Sequence, residues 1–205
     1  MQKVILITGS TDGIGFETAK VLVQQGHHVL LHGRNPSKLK NVEQQLVTLS
    51  TEAKIQSYVA DLSVLAEVDT LADEVIAEHD KIDVLINNAG VFNTPNPITK
   101  DGLDVRFAVN TVSPYHLTKR LLPLLGSSSR VVNLSSAAQA AVSIEALEGK
   151  KTLSDGDAYA QSKLAITMWT RKMAKELGST GPMVVAVNPA SLLGSKMVKD
   201  AYGIA

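Results

Sequence analysis

Apolar residues follow two rhythms along this chain. Short unbroken runs such as Val4 to Ile7 and Val29 to Leu31 alternate with longer stretches in which apolar residues recur every three or four positions. The short runs predict six strands, at residues 4–7, 28–32, 54–60, 84–86, 130–134 and 183–187. The periodic stretches predict helices at residues 16–25, 36–50, 101–125 and 159–177, with another that carries Leu65, Val68, Leu71, Ala72, Val75 and Ile76 on one face. Pro36 suits a first helical turn, and Ser63 is placed to cap the helix that follows it. Residues 93–98 form a proline-containing loop, and 192–201 begin what reads as a further helix.

Strands without polar alternation, separated by helices, belong to a sheet covered on both faces and joined by right-handed crossovers. The expectation is an α/β, doubly wound, mainly parallel sheet, in one domain spanning residues 1–205. Such sheets bind ligands at the carboxyl ends of their strands, near the switch in strand order. Gly9, Arg34, Asp61, Asn87 to Gly90, Ser135, Ser136, Asn188 and Pro189 all fall at those ends.

Composition narrows the choices. Apolar residues make up 44% and charged residues 20%, as in globular proteins. Net charge is zero with no basic block, which argues against nucleic acid as the main partner. Cysteine is absent, so thiolate chemistry and cysteine metal sites are excluded. The five histidines lack ligand spacing with carboxylates, and no metal is expected. No apolar stretch reaches the ~18–20 residues of a membrane span, and no leader pattern opens the chain; a cytoplasmic location is expected.

Candidate chemistry sits in a few places. Thr8 to Gly15 reads TGSTDGIG between a strand and a helix, an arrangement that presents backbone N–H groups and a helix N-terminus to phosphate. Tyr159 and Lys163 are four apart on a helix and share a face. A nearby cation favours the phenolate, which makes tyrosine usable as an acid/base. Ser135 and Ser136 could bond a substrate oxygen or cap a turn. Asn110 lies inside a predicted helix, where asparagine either satisfies a local backbone group or bends the helix and holds a water.

Taken together, these residues resemble the short-chain dehydrogenase/reductase family over most of the chain. Thr8 to Gly15 is similar to its cofactor turn and Asn87-Asn-Ala-Gly90 to its fourth-strand motif, while Asn110, Ser136, Tyr159 and Lys163 match the order of its catalytic tetrad. The resemblance implies a Rossmann fold and a nicotinamide cofactor held by Gly9, Thr11, Asp12, Gly13, Ile14 and Gly15. Asp61 and Leu62 would bracket adenine, Asn88, Ala89 and Gly90 would line the site, and Pro189 would touch the nicotinamide. It implies Tyr159 as proton donor or acceptor, with Lys163 lowering its pKa and holding the ribose hydroxyls. Ser136 would polarise the substrate oxygen, and Asn110 would support a water that relays protons from Lys163.

Strand two ends in His32-Gly-Arg-Asn35, without the acid that holds a ribose 2′-OH. Arg34 could pair with a 2′-phosphate, so NADP(H) is expected over NAD(H). The closest branch by resemblance is retinol-dehydrogenase-like, which implies apolar aldehydes, ketones or alcohols as substrates. The insert at residues 137–158 either walls the substrate pocket or lies on the surface. Pro189 is followed by Ala190 where the family commonly has glycine, and the chain stops before the family's usual seventh strand. That shortness leaves a rival: an NADP(H)-binding sensor or assembly protein with little or no turnover. A homodimer through the helices at 101–125 and 159–177 is also expected from the resemblance.

Overall fold

The structure, a computed structural model, describes residues 1–189 of the 205. Six strands form one parallel sheet: β1 Val4–Ile7, β2 His28–Gly33, β3 Lys54–Val59, β4 Val84–Asn87, β5 Arg130–Leu134 and β6 Met183–Val187. Their order is β3-β2-β1-β4-β5-β6, so the direction of winding reverses between β1 and β4. The chain therefore leaves an opening above the carboxyl ends of these two central strands.

The unbroken apolar runs have a simple cause. Successive strand side chains point to opposite faces, and both faces are covered. Leu6, Leu30, Leu85, Val131 and Val184 pack into one core with α3 (Leu65–Glu78), α5 (Ser113–Leu121) and α7 (Asp155–Leu177). Ile5, Ile7, Val29 and Leu31 enter the other, with α1 (Gly13–Gln24) and α2 (Pro36–Val47).

Helix ends depart from the sequence expectation, each for a physical reason. The first helix begins at Gly13 rather than residue 16, because the Asp12 carboxylate accepts the Gly13 N–H at 2.8 Å and caps it there. Ser63 does not cap α3: its own N–H donates to Asp61 Oδ1 at 2.9 Å, while Val64 takes the cap position without a side-chain bond. Asp101 supplies that end instead, accepting the Leu65 N–H at 3.2 Å. Asp101 thus serves a neighbouring helix rather than starting its own. The predicted 101–125 helix begins with α4 (Val105–Phe107), capped by Asp104. It passes through a π-helical segment, Ala108–Val112, before α5, and finishes in a 3₁₀ turn, Leu122–Leu124. Pro114 has no N–H to donate to the carbonyl four residues back, which accounts for the change of helical register. Within the insert, Ile144–Leu147 forms a short helix, α6. Ser154 caps α7 through the Asp157 N–H, so that helix starts four residues before Tyr159. The helix expected at 192–201 lies outside the described residues.

Candidate active site

The glycine turn is tied down on several sides. Thr8 Oγ1 accepts the N–H groups of Asn88 and Ala89, each at 3.1 Å. Asn88 Nδ2 donates to the carbonyls of Thr8 and Gly9, each at 2.9 Å. Gly9 has φ +65°, and a Cβ there would lie 2.8 Å from the Ala89 Cα. A Cβ on Gly15 would collide with the Gly9 carbonyl and the Asn88 amide. These two glycines let β1, α1 and the end of β4 meet.

A cleft of about 630 Å³ runs from this turn across the carboxyl end of the sheet. At one end it is lined by Gly9, Thr11, Asp12, Gly13, Ile14, Arg34, Asp61 and Leu62, along its middle by Asn88, Ala89 and Gly90, and at the other end by Tyr159, Lys163 and Pro189. The fold thus brings most of the sequence-selected residues into one cavity. Gly15, Asn110 and Ser136 stand outside its lining. Gly15 is buried beneath the turn, and Asn110 is buried behind the cleft. Ser136 is half-buried one residue beyond Ser135, which does face the cleft.

Each member of the expected tetrad has a defined setting. The Lys163 side chain is 4% exposed, and its Nζ donates to the Leu134 carbonyl at 2.8 Å. Burial pushes its pKa down to about 8. The same nitrogen sits 5.6 Å from the centre of the Tyr159 ring, against which Phe92 packs edge to face at 4.8 Å. Asn110 is held at both ends of its amide: Oδ1 accepts the Val91 N–H at 2.8 Å, and Nδ2 donates to the Val91 carbonyl and to Ser162 Oγ, each at 3.0 Å. It therefore joins the end of β4 to α7 at the residue before Lys163. Ser135 Oγ is engaged with Lys163 O at 3.1 Å and Thr167 Oγ1 at 2.7 Å, a tie between β5 and α7. Ser136 Oγ accepts the Ala138 N–H at 3.2 Å, a contact that does not use its O–H.

The insert is docked onto α7 by Ser143 N–H to Gln161 Oε1 at 2.9 Å and by Ala140 N–H to the Ala160 carbonyl at 3.3 Å. None of its residues lines the cleft among the described residues.

Among the wall residues outside the sequence reading of the site are Lys38 and His32. Lys38 lines the cleft beside Arg34, and its Nζ pairs with Asp12 Oδ2 at 2.9 Å. Nothing in the spacing marks it, because the pair joins α2 to a turn 26 residues earlier. His32 is 3% exposed beneath the glycine turn. Its signal was available: a histidine in a strand covered on both faces must find buried partners.

The donor set fits a dinucleotide: a turn and helix N-terminus for a pyrophosphate, cations at one end, and a phenol beside a buried ammonium at the other. A parallel sheet with such a cleft at its switch point defines a Rossmann-type nucleotide-binding enzyme fold. The family model described as short chain dehydrogenase matches residues 3–202, and the chain belongs to that family. It is 36% identical to retinol dehydrogenase 12 of Mus musculus over 204 residues, covering 98% of this chain and 64% of that protein. Identity to polyprenol dehydrogenase of Homo sapiens is 35% over 192 residues, 90% of this chain and 58% of that one. The chain thus spans about three fifths of the length of these relatives. A metagenomic short-chain oxidoreductase solved in complex with NADP superposes with a TM-score of 0.75 at 30% identity, covering 93% of this chain and 83% of the other. No described helix is long and apolar enough to cross a membrane.

Proposed function

We propose that the chain is an NADP(H)-dependent oxidoreductase that moves a hydride between the nicotinamide and the carbonyl or alcohol group of an apolar aldehyde, ketone or alcohol. The observation that carries this reading is one cleft with Tyr159 over buried Lys163 at one end and the glycine turn with Arg34 at the other. When bound, the dinucleotide supplies or accepts the hydride. Tyr159 gives a proton to the carbonyl oxygen in reduction and takes one from the alcohol in oxidation. The Lys163 ammonium favours the phenolate and holds the ribose hydroxyls. The O–H of Ser136 donates to the substrate oxygen and stabilises charge developing there. Asn110 fixes Val91 and Ser162 through its side chain, while its carbonyl, denied an N–H by Pro114, is the seat for a relay water.

Gly9, Gly13, Ile14 and Gly15 form the pyrophosphate turn, with Thr11 and Asp12 at its rim. Asp61 and Leu62 bracket adenine, and Pro189 meets the nicotinamide. Arg34 favours a 2′-phosphate, since β2 ends without an acid. Phe92 gives the substrate side an apolar wall, and two relatives bear the names retinol and polyprenol dehydrogenase. A homodimer in the cytoplasm belongs to the same reading, supported by exposed Tyr115 on α5 and Met168 on α7 around the Tyr115–Trp169 contact. Light scattering at two protein concentrations reads the dimer; a monomer throughout rejects it.

Steady-state kinetics with NADPH and NADH on a panel of apolar aldehydes and ketones tests the whole. The reading expects a higher kcat/KM with NADPH and a fall of about tenfold or more for it in Arg34→Ala, with NADH little changed. A preference for NADH rejects the cofactor assignment. Cofactor binding without turnover on any substrate, unaltered in Tyr159→Phe, favours a sensor or assembly role.

A further inference from the structure

His32 is the only histidine that lines the cleft among the described residues, and its ring is used at both nitrogens. Nε2 lies 3.1 Å from the Ala60 carbonyl, which can only accept, so Nε2 carries the hydrogen. Nδ1 therefore presents its lone pair, which accepts the Gly9 N–H at 3.1 Å. The His32 backbone is engaged with the same turn: its N–H donates to Ser10 Oγ at 2.9 Å, and its carbonyl accepts the Ser10 N–H at 3.0 Å and the Ser10 O–H at 3.2 Å. Burial keeps the imidazole neutral, with its pKa pushed down to about 4.

The two ends of the ring touch the two walls between which an adenosine pyrophosphate would lie. Gly9 begins the phosphate turn, and Ala60 immediately precedes the Asp61–Leu62 wall. Gly9 has a positive φ and no side chain of its own to anchor it. Its orientation is set by whatever holds its N–H and by Asn88, which holds its carbonyl. We propose that His32 is a positioning residue for cofactor binding, its neutral imidazole bracing the Gly9 turn against the end of β3 so that the turn is preorganised for the dinucleotide. This rests on the cleft being the dinucleotide site. The effect belongs to affinity and not to chemistry, because the ring's bonds go to Gly9 and Ala60 at the phosphate and adenine end of the cleft.

Replacement at this position separates the two contacts. Asparagine sets an amide oxygen near the place of Nδ1, keeping the acceptor for Gly9 without reaching Ala60. Glutamine places its amide nitrogen near Nε2 and keeps only the Ala60 bond. Leucine fills the space with neither. The test is NADPH titration of the full chain by its own fluorescence, for wild type and for His32→Leu, His32→Asn and His32→Gln, with Tm and kcat at saturating NADPH measured alongside. Expected are an increase in Kd of about tenfold in His32→Leu, recovery to within about threefold in His32→Asn, and kcat close to wild type in both. Equal Kd in wild type and His32→Leu, or a loss in His32→Asn as large as in His32→Leu, overturns the proposal. Should the leucine variant fail to fold, the asparagine and glutamine variants decide: tighter binding by asparagine supports the Gly9 contact, and equal or weaker binding overturns it. Wild-type protein that binds neither NADPH nor NADH overturns the dinucleotide site itself, a result distinct from a wild type that binds while the variants are unaffected.

Discussion

At the scale of single residues, the chemistry divides into groups that act through shared helix faces and groups that act through contacts distant in sequence. Tyr159 and Lys163 are of the first kind, and their four-residue spacing made the pair legible in the sequence. His32, Lys38 and Ser135 are of the second kind. Their partners lie 22 to 32 residues away, across crossovers that no local pattern encodes. The buried state of His32 has a measurable consequence for stability. Burial lowers its pKa from 6.5 to about 4, while the neighbouring carboxylate of Asp61 and the bond to Ala60 pull the other way. Between those two values the unfolded chain takes up a proton that the fold refuses, so stability falls as pH drops from about 6.5 towards 4. Burial, followed by the nearby His79 and Lys54, lowers the pKa of His28, and burial lowers that of His79 against the pull of Glu78 and Asp80, which adds to the same slope. Denaturant titration from pH 7 to 4.5 should show a loss on the order of 1 kcal/mol per pH unit from His32, reduced in His32→Leu. An unchanged slope in that variant contradicts the assignment.

At the scale of elements, the strands followed their apolar runs closely, and the helix boundaries did not. The reason is that a strand in a covered sheet is announced by its own side chains, whereas a helix end is settled by whichever group reaches its open N–H groups. Asp101 and Ser63 show this most clearly: the Asp101 carboxylate accepts the Leu65 N–H at the start of α3, while Ser63 only donates its own N–H to Asp61. The start of the α4–α5 unit is set by a buried cation. Arg106 holds Asp104 through Nε at 2.8 Å and Nη2 at 2.6 Å, while Nη1 reaches Asp155 in the first turn of α7. Asn110 lies one turn beyond Arg106, and Tyr159 one turn beyond Asp155. The link therefore sits at the base of the two elements that carry Asn110, Tyr159 and Lys163. Arg106→Leu would leave Asp104 buried without its partner and should cost about 3–5 kcal/mol of stability. Asp155→Asn keeps the Arg106–Asp104 pair, and Asp155 is half exposed, so its Tm should move by only a few degrees. Its kcat should fall several-fold with cofactor KM unchanged. Equal kcat in wild type and Asp155→Asn would remove this bridge from any part in positioning the site.

At the scale of the whole molecule, the architecture was legible because it repeats one unit, a buried strand followed by a covering helix. With the strand order reversing beside β1, the chain leaving β1 and the chain leaving β4 depart in opposite directions from two paired strand ends, and the cleft lies at that divergence. Less legible was what the insert at 137–158 does. Its docking through Ser143 and Ala140 onto α7 depends on contacts between segments that the apolar rhythm leaves unrelated. The central claim joins the two ends of the cleft: a cofactor held at the Gly9–Arg34 end delivers a hydride to a substrate whose oxygen meets Tyr159. Transfer of deuterium from NADPH carrying deuterium at both C4 positions to an apolar aldehyde, read by mass spectrometry of the product alcohol, tests that claim most directly. The account predicts deuterated alcohol with wild-type protein, and its loss in Tyr159→Phe while NADPH binding persists. Equal deuterium transfer by wild type and Tyr159→Phe, or none by wild type with any aldehyde of the panel, would contradict it.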